Sequence, residues 1–291
     1  MTSVLGIGEC MIELRREKNS MLSTGFSGDT SNAMIYLQRC NRMIQTSYLS
    51  ALGDDYYSKQ IIDQWKREGV STDQVSIIKD ELPGIVLIEN DIDGERRFFY
   101  WRKTSAFVLL MEKLPENFAW PKTEYIYLSG ITIAATPEKH RMKLQDFVLE
   151  QKACGTKIVF DPNFRPLLWD AKTAIKEMMP YITSANWFLA SEEDLEGLNL
   201  ECSDVLKKNS SDNPEFIIRG EDGKITIYGK NKISEVATSR NKAVDTSGAG
   251  DAFNGTYLGC RLKGLSAENS AIQAHQTAKT VVMQKGAIVS N

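Results

Sequence analysis

Short apolar runs rich in β-branched residues recur along this chain, each followed by a longer stretch with helical spacing. That alternation limits what the chain can fold into. The runs are Val4–Ile7, Tyr125–Leu128, Lys157–Phe160, Trp187–Leu189, Phe216–Ile218 and Lys224–Tyr228. Between them lie amphipathic stretches such as Ser31–Arg39, Tyr57–Arg67, Glu138–Cys154 and Ala171–Pro180. A strand that is apolar at successive positions has to be covered on both faces. Alternation of such strands with helices builds βαβ units, so the expected fold class is α/β: a central, mostly parallel sheet with helices on both faces. The 291 residues, 42% of them hydrophobic, can bury a large core. No repeat, low-complexity segment or linker interrupts them, and 1–291 is expected to form a single domain.

One segment breaks the rhythm. PGIVLIENDIDGERRFFYWR, at 83–102, reads as two strands joined by a turn at Asp93-Gly94. The two-residue period of a strand puts Phe98, Tyr100 and Arg102 on one face and Phe99 and Trp101 on the other. Aromatics on both faces suit a hairpin that covers a ligand with one side and meets a partner with the other.

The chemistry is concentrated in AVDTSGAGDAFNGTYLG, residues 243–259. It reads as a strand end, a glycine-rich turn and a helix beginning near Asp251; the final helices are expected over Asp251–Lys263 and Ala267–Met283. Such a turn aims unpaired amides and the positive end of a helix dipole at one point, a ready anion site, with the Asp251 carboxylate beside it. An anion cradle next to a potential general base suits phosphoryl transfer to a hydroxyl. The same letters also describe a plain capped helix start. The loop is not a dinucleotide fingerprint, because Phe253 takes the third glycine position, and no GxxxxGK[ST] occurs. Gly28-Asp-Thr-Ser-Asn32 opens another helix, with Asp29 and Asn32 able either to bind hydroxyls or to cap it. Arg165 follows a strand end in Asp161-Pro-Asn-Phe-Arg-Pro, where open α/β sheets bind ligands, and its fork suits a carboxylate.

Other classes find no support. A net charge of -3 gives no case for nucleic acid or an anionic membrane surface, and no apolar run is long enough to cross one. The two histidines share no motif, which leaves out a histidine triad or zinc site. Five scattered cysteines without CxxC spacing and an N-terminus without signal-peptide character suggest free thiols in the cytoplasm.

DTSGAGDAFNG resembles the C-terminal signature of the ribokinase-like, phosphofructokinase-B type carbohydrate kinases, and the likeness runs from residue 4 to about 289. It implies a three-layer ribokinase-like fold with a small β-sheet lid from about 11–26 and 83–102. It also implies ATP and Mg²⁺ as cofactors and a homodimer through the lid. Carried over, the amides of Gly248, Ala249 and Gly250 form an anion hole and Asp251 is the base. Gly28, Asp29 and Asn32 line the sugar site. Arg219-Gly220-Glu221-Asp222-Gly223 lies over the nucleotide, Ser191 stands near the magnesium and His275 near the adenine; no metal ligand is assigned.

Several segments, among them GECMIEL at 8–14, LPGIVLIENDIDGERRFFYWR at 82–102 and FDPNFRPLLW at 160–169, are similar to the 2-keto-3-deoxygluconate kinases. In that branch Tyr100, Arg102 and Arg165 contact the sugar acid, phosphorylated at its 6-hydroxyl. The chain departs from the pattern at Ser27, Val86 and the Ser191/Asp194 pair. The alternatives are a kinase for a neutral sugar such as fructose or ribose, and a sugar-acid sensor without catalysis.

Overall fold

The computed structural model describes residues 2–17, 21–90, 96–115, 118, 120–220, 222–230, 232–239 and 243–290. The turn expected at Asp93-Gly94 and residue Glu221 lie outside them. The first half of the chain forms β1 (Ser3–Ile7), β2 (Met11–Arg16), β3 (Leu22–Ser27), α1 (Asp29–Cys40), β4 (Gln45–Leu52), α2 (Tyr56–Arg67), β5 (Val75–Ile77), β6 (Ile85–Asn90), β7 (Arg96–Trp101) and α3 (Leu110–Lys113). There follow β8 (Tyr125–Ser129), α4 (Gly130–Ala135), α5 (Glu138–Ala153), β9 (Lys157–Asp161), α6 (Ala171–Ile182), β10 (Trp187–Ser191), α7 (Glu192–Leu198) and α8 (Cys202–Lys208). The chain closes with β11 (Glu215–Arg219), β12 (Lys224–Gly229), β13 (Ile233–Ala237), α9 (Ala249–Leu262) and α10 (Ala267–Val282).

Nine strands form the larger sheet in the order β13-β12-β11-β10-β9-β8-β1-β4-β5. Only β12 runs antiparallel to its neighbours; the other pairs are parallel. Successive residues of the central strands enter opposite cores, as the strand period requires. Leu5, Ile126, Ile158 and Phe216 pack against α5 and α6 on one face. Val4, Tyr127, Val159 and Ile217 pack against α1, α2 and α9 on the other. This double burial is why the strands read as continuous apolar runs. Helix starts are fixed locally: Asp55, Asp170 and Ser266 accept from first-turn amides of α2, α6 and α10.

Strand β4 is the central strand the apolar runs do not announce. Its sequence, QTSYLSAL, interrupts the pattern with Thr46 and Ser50, both buried; the Thr46 hydroxyl donates to Gln38 Oε1 at 2.6 Å, which makes its burial affordable.

The second sheet has four strands in the order β3-β2-β6-β7. Two hairpins, β2–β3 and β6–β7, join through the parallel pair β2–β6. The 83–102 hairpin is therefore half of a small sheet, and the segment at 11–26 supplies the other half.

Candidate active site

A cavity of about 500 Å³ lies at the C-terminal edge of the large sheet, beneath the small one. Asp161, Ser191 and Arg219 come from the ends of β9, β10 and β11. Met11, Glu13, Val86, Phe98, Tyr100 and Arg102 come from the small sheet and its exit. Gly28, Asp29 and Asn32 open α1, and Thr246 through Gly248, Gly250 and Asp251 lead into α9, on either side. Arg165 completes the wall. Eleven widely separated residues expected at a site thus face one space: Gly28, Asp29, Asn32, Tyr100, Arg102, Arg165, Ser191, Arg219, Gly248, Gly250 and Asp251.

The glycine loop differs from expectation at its start. Residues 243–247, which lead into it, form no strand: Val244 and Asp245 donate their amides to the Val282 carbonyl at 2.7 and 3.1 Å, docking the segment on the end of α10 instead of on a sheet. Gly248 caps α9 with φ of +71°, a left-handed conformation that glycine adopts without strain. The helix therefore begins at Ala249, two residues ahead of Asp251. The Ala249 amide turns back to Thr246 O at 3.4 Å. The amides of Gly250 and Asp251 have no partner among the described residues, so the anion cradle centres on those two.

Asn32 Nδ2 donates to Asp251 Oδ2 at 2.8 Å, joining the starts of α1 and α9. Burial, and then the nearby charge of Asp29, push the Asp251 carboxyl up to about 7. Arg165 and Arg219 oppose that rise without cancelling it. Asp29 accepts from Asn163 Nδ2 at 3.0 Å. A side chain at Gly28 would collide with the Glu9 carbonyl, so glycine is what lets α1 start this close to β1.

The two arginines expected to bind substrate stand differently. Arg102 Nη2 is ion-paired with Glu9 Oε2 at 2.6 Å, and Ser105 donates to the other Glu9 oxygen at 2.5 Å. Burial raises the Glu9 carboxyl, against the pull of Arg102 and Ser105. Arg165 is exposed to the cavity and has no ion-pair partner among the described residues; its Nη1 donates only to Phe164 O, at 3.1 Å.

The expected nucleotide residues divide. Arg219 crosses Phe253, with its guanidinium 5.3 Å from the ring centre, and donates to Asn254 Oδ1. Ser191 is the N-cap of α7 in a capping box with Asp194, whose carboxylate also accepts from Phe164 N at 2.7 Å. Gly220, Asp222 and Gly223 form a hairpin turn that closes on itself through Gly220 N to Lys224 O and Lys224 N to Asp222 Oδ1, outside the walls of the cavity. His275 meets Ser239 O at 2.9 Å and lines a neighbouring cavity of about 370 Å³, which shares Thr246 with the first.

Several residues of the site take roles that the sequence reading did not assign them. Asn163 is read in the sequence only as part of the Arg165 segment, yet it orients Asp29. Asn254, one turn beyond Asp251, donates to Asp161 Oδ2 at 2.8 Å and holds α9 to β9. Asp161 is nearly fully buried, and burial raises its carboxyl well above the usual range. Glu9 and Asp194 end as buried anchors for Arg102 and for the Phe164 amide.

A model of the pfkB family of carbohydrate kinases matches residues 1–291. The 2-dehydro-3-deoxygluconokinase of Dickeya dadantii is 36% identical over 298 aligned residues, covering 97% of this chain and 95% of its own. The 2-dehydro-3-deoxygluconokinase structure from Thermotoga maritima has a TM-score of 0.86 at 20% identity, covering 99% of this chain and 96% of its own. Fructokinase with bound ATP from Xylella fastidiosa has a TM-score of 0.82 at 20% identity, covering 98% and 93%. The structures establish the ribokinase-like fold, and the family model together with the 36% identical relative establishes descent. The chain belongs to the pfkB family of carbohydrate kinases.

Proposed function

We propose that the protein transfers the γ-phosphoryl group of ATP to the 6-hydroxyl of 2-keto-3-deoxy-D-gluconate, giving 2-keto-3-deoxy-6-phosphogluconate. The observation that carries the substrate is Arg165, a guanidinium exposed in the cavity with no ion-pair partner among the described residues, in a chain 36% identical to a 2-dehydro-3-deoxygluconokinase. A neutral sugar gives such a cation nothing to pair with, whereas a sugar acid brings a carboxylate.

In this reading Asp251 is the base. Its raised carboxyl suits a group that must gain a proton near neutral pH. As Asp251 takes the hydroxyl proton, the sugar oxygen attacks the γ-phosphorus. The new O–P bond forms in line with the bridging P–O bond that breaks, and ADP departs. The amides of Gly250 and Asp251, at the positive end of α9, receive the charge on the migrating group. Asn32 holds the Asp251 carboxylate by its 2.8 Å hydrogen bond, and Asp29, oriented by Asn163, faces the sugar hydroxyls. Arg165 fixes the acid end so that the far hydroxyl meets the base.

The nucleotide enters beside Arg219, and the His275 cavity next to Thr246 accommodates its base. Among the described residues no group of three His, Cys, Asp or Glu side chains could cage a metal ion. In this reading Mg²⁺ comes with the ATP phosphates, where it would neutralise their charge. Phe99 and Trp101, exposed on the outer side of the small sheet, support a homodimer formed there. No helix among the described residues is long and apolar enough to cross a membrane.

The test is ADP release coupled to a panel of 2-keto-3-deoxygluconate, gluconate, fructose and ribose. Turnover is expected with the keto-deoxy acid at a kcat/KM at least about tenfold above the neutral sugars, the equivalent of ~1.4 kcal/mol. Preference for fructose or ribose would overturn the substrate, and absence of sugar-dependent ADP release would overturn catalysis.

A further inference from the structure

The α1–α9 pair carries a second feature at its other end. Cys40, the last residue of α1, and Cys260, near the end of α9, face one another with sulfurs 3.6 Å apart. Both line a cavity of about 470 Å³ between α1, α9 and α10, far along these helices from Asp29 and Asp251. Nothing in the proposed phosphoryl transfer uses them. Cys10 and Cys202 are buried elsewhere and Cys154 is exposed alone, so this is the one close pair among the five cysteines.

We propose that Cys40 and Cys260 form a peroxide-responsive thiol pair that closes reversibly to a disulfide between α1 and α9. The sulfurs need to approach by about 1.5 Å to reach bonding distance, a movement that side-chain rotation and a small helix shift can supply. The cavity admits the oxidant. Cys40 is the attacking sulfur: it is the less buried of the two, and the hydrogen bond from Cys260, aided by Lys263, favours its thiolate. The Cys40 thiolate attacks hydrogen peroxide, forming an S–O bond as the O–O bond breaks, and the hydroxide released takes up a proton. The Cys260 sulfur then attacks the sulfenic sulfur, forming the S–S bond and expelling the second water. Two thiols lose two electrons and the peroxide is reduced to two waters.

The native protein treated with a few equivalents of hydrogen peroxide is expected to lose two of its five free thiols. Non-reducing peptide mapping should show one linked peptide containing Cys40 and Cys260, and dithiothreitol should release it. A cross-link spanning 220 positions constrains the unfolded chain strongly, so the oxidised protein should melt several degrees higher. In Cys260→Ser the cross-link should vanish and a dimedone adduct should appear on Cys40, which separates a lost resolving thiol from a misfolded variant. In the native protein, oxidation confined to Cys154, Cys40 carried to the sulfinic acid without a cross-link, or a dimedone adduct on Cys260 instead of Cys40 would each overturn the assignment.

Discussion

Arg15 of β2 and Asp245, three residues before Gly248, are 230 positions apart in sequence and form an ion pair of 2.6 Å. Asp245 also accepts from the amides of Ser247, at 2.9 Å, and Gly286, at 3.0 Å, so one carboxylate organises the approach to the glycine loop. Arg15 donates to Glu13 at 2.9 Å as well, and Glu13 lines the cavity. Residues 11, 13 and 15 share a face of β2, so the strand that roofs the cavity also grips the loop below it. Arg15→Ala removes a close cation from a nearly buried carboxylate. Stability should fall by about 1–3 kcal/mol, and kcat should fall about tenfold, because a misplaced loop misplaces the amides that meet the phosphoryl group. Thermal melts and steady-state kinetics check both, with Arg15→Lys expected to lie between. A normal kcat in Arg15→Ala would mean that the loop holds its shape without the small sheet.

The state of Asp251 predicts the pH profile. A base works only when deprotonated, and this carboxyl is pushed up to about 7 by burial and then by Asp29. The kcat/KM for the sugar should therefore rise about tenfold per unit below that value and level off above it. Asp29→Asn removes the second cause, so the acid limb should move to lower pH even as sugar binding weakens. An unmoved limb would assign the titration to another group.

The same shift makes Asp251 costly to the fold. Its carboxyl is raised above its unfolded value, so the folded state binds the proton more tightly. Stability is then fully present below the unfolded pKa and lost as pH rises toward about 7. Asp251→Asn should cut kcat at least about a hundredfold and yet raise the melting temperature. The gain should be absent near pH 4 and greatest above pH 7, where it is worth a few kcal/mol by the ~1.4 kcal/mol per unit conversion. A variant destabilised at every pH would show that the carboxylate is structural.

Much of this was legible in the chain, for identifiable reasons. The strands β1, β8, β9, β10 and β11 could be read because both faces of the sheet are covered and their central positions form unbroken apolar runs. Asp251 could be read because a glycine turn and a helix start are local in sequence. β4 could not, because Thr46 and Ser50 interrupt its apolar pattern although both are buried, and the partner of the Thr46 hydroxyl, Gln38, is supplied by the packing of α1 on the strand. The roles of Asn163 and Asn254 depend on partners 134 and 93 positions away. The strand expected before the glycine loop failed for a related reason, since the amides of Val244 and Asp245 go to Val282, which no local pattern reveals. Arg102 and Arg165 look alike in sequence, and only Glu9 tells them apart.

That difference yields the sharpest contrast between two variants. Arg102→Ala strips the buried Glu9 of its cation, and removing one partner of a buried pair typically costs about 3–5 kcal/mol. The melting temperature should fall by roughly 5–15 °C for a chain of this size. Adding Glu9→Gln should recover part of the loss, because the uncompensated charge is gone. Arg165→Ala breaks no ion pair among the described residues and should melt within about 2 °C of the parent. Its cost should fall on the substrate instead: losing a charged hydrogen-bond donor worth about 1.5–3 kcal/mol raises KM for the keto-deoxy acid by about 10- to 150-fold. Any residual activity on fructose should be unchanged. Equal losses on the acid and the neutral sugar would remove Arg165 from carboxylate recognition and leave Arg102, even while bound to Glu9, as the cation that meets the substrate.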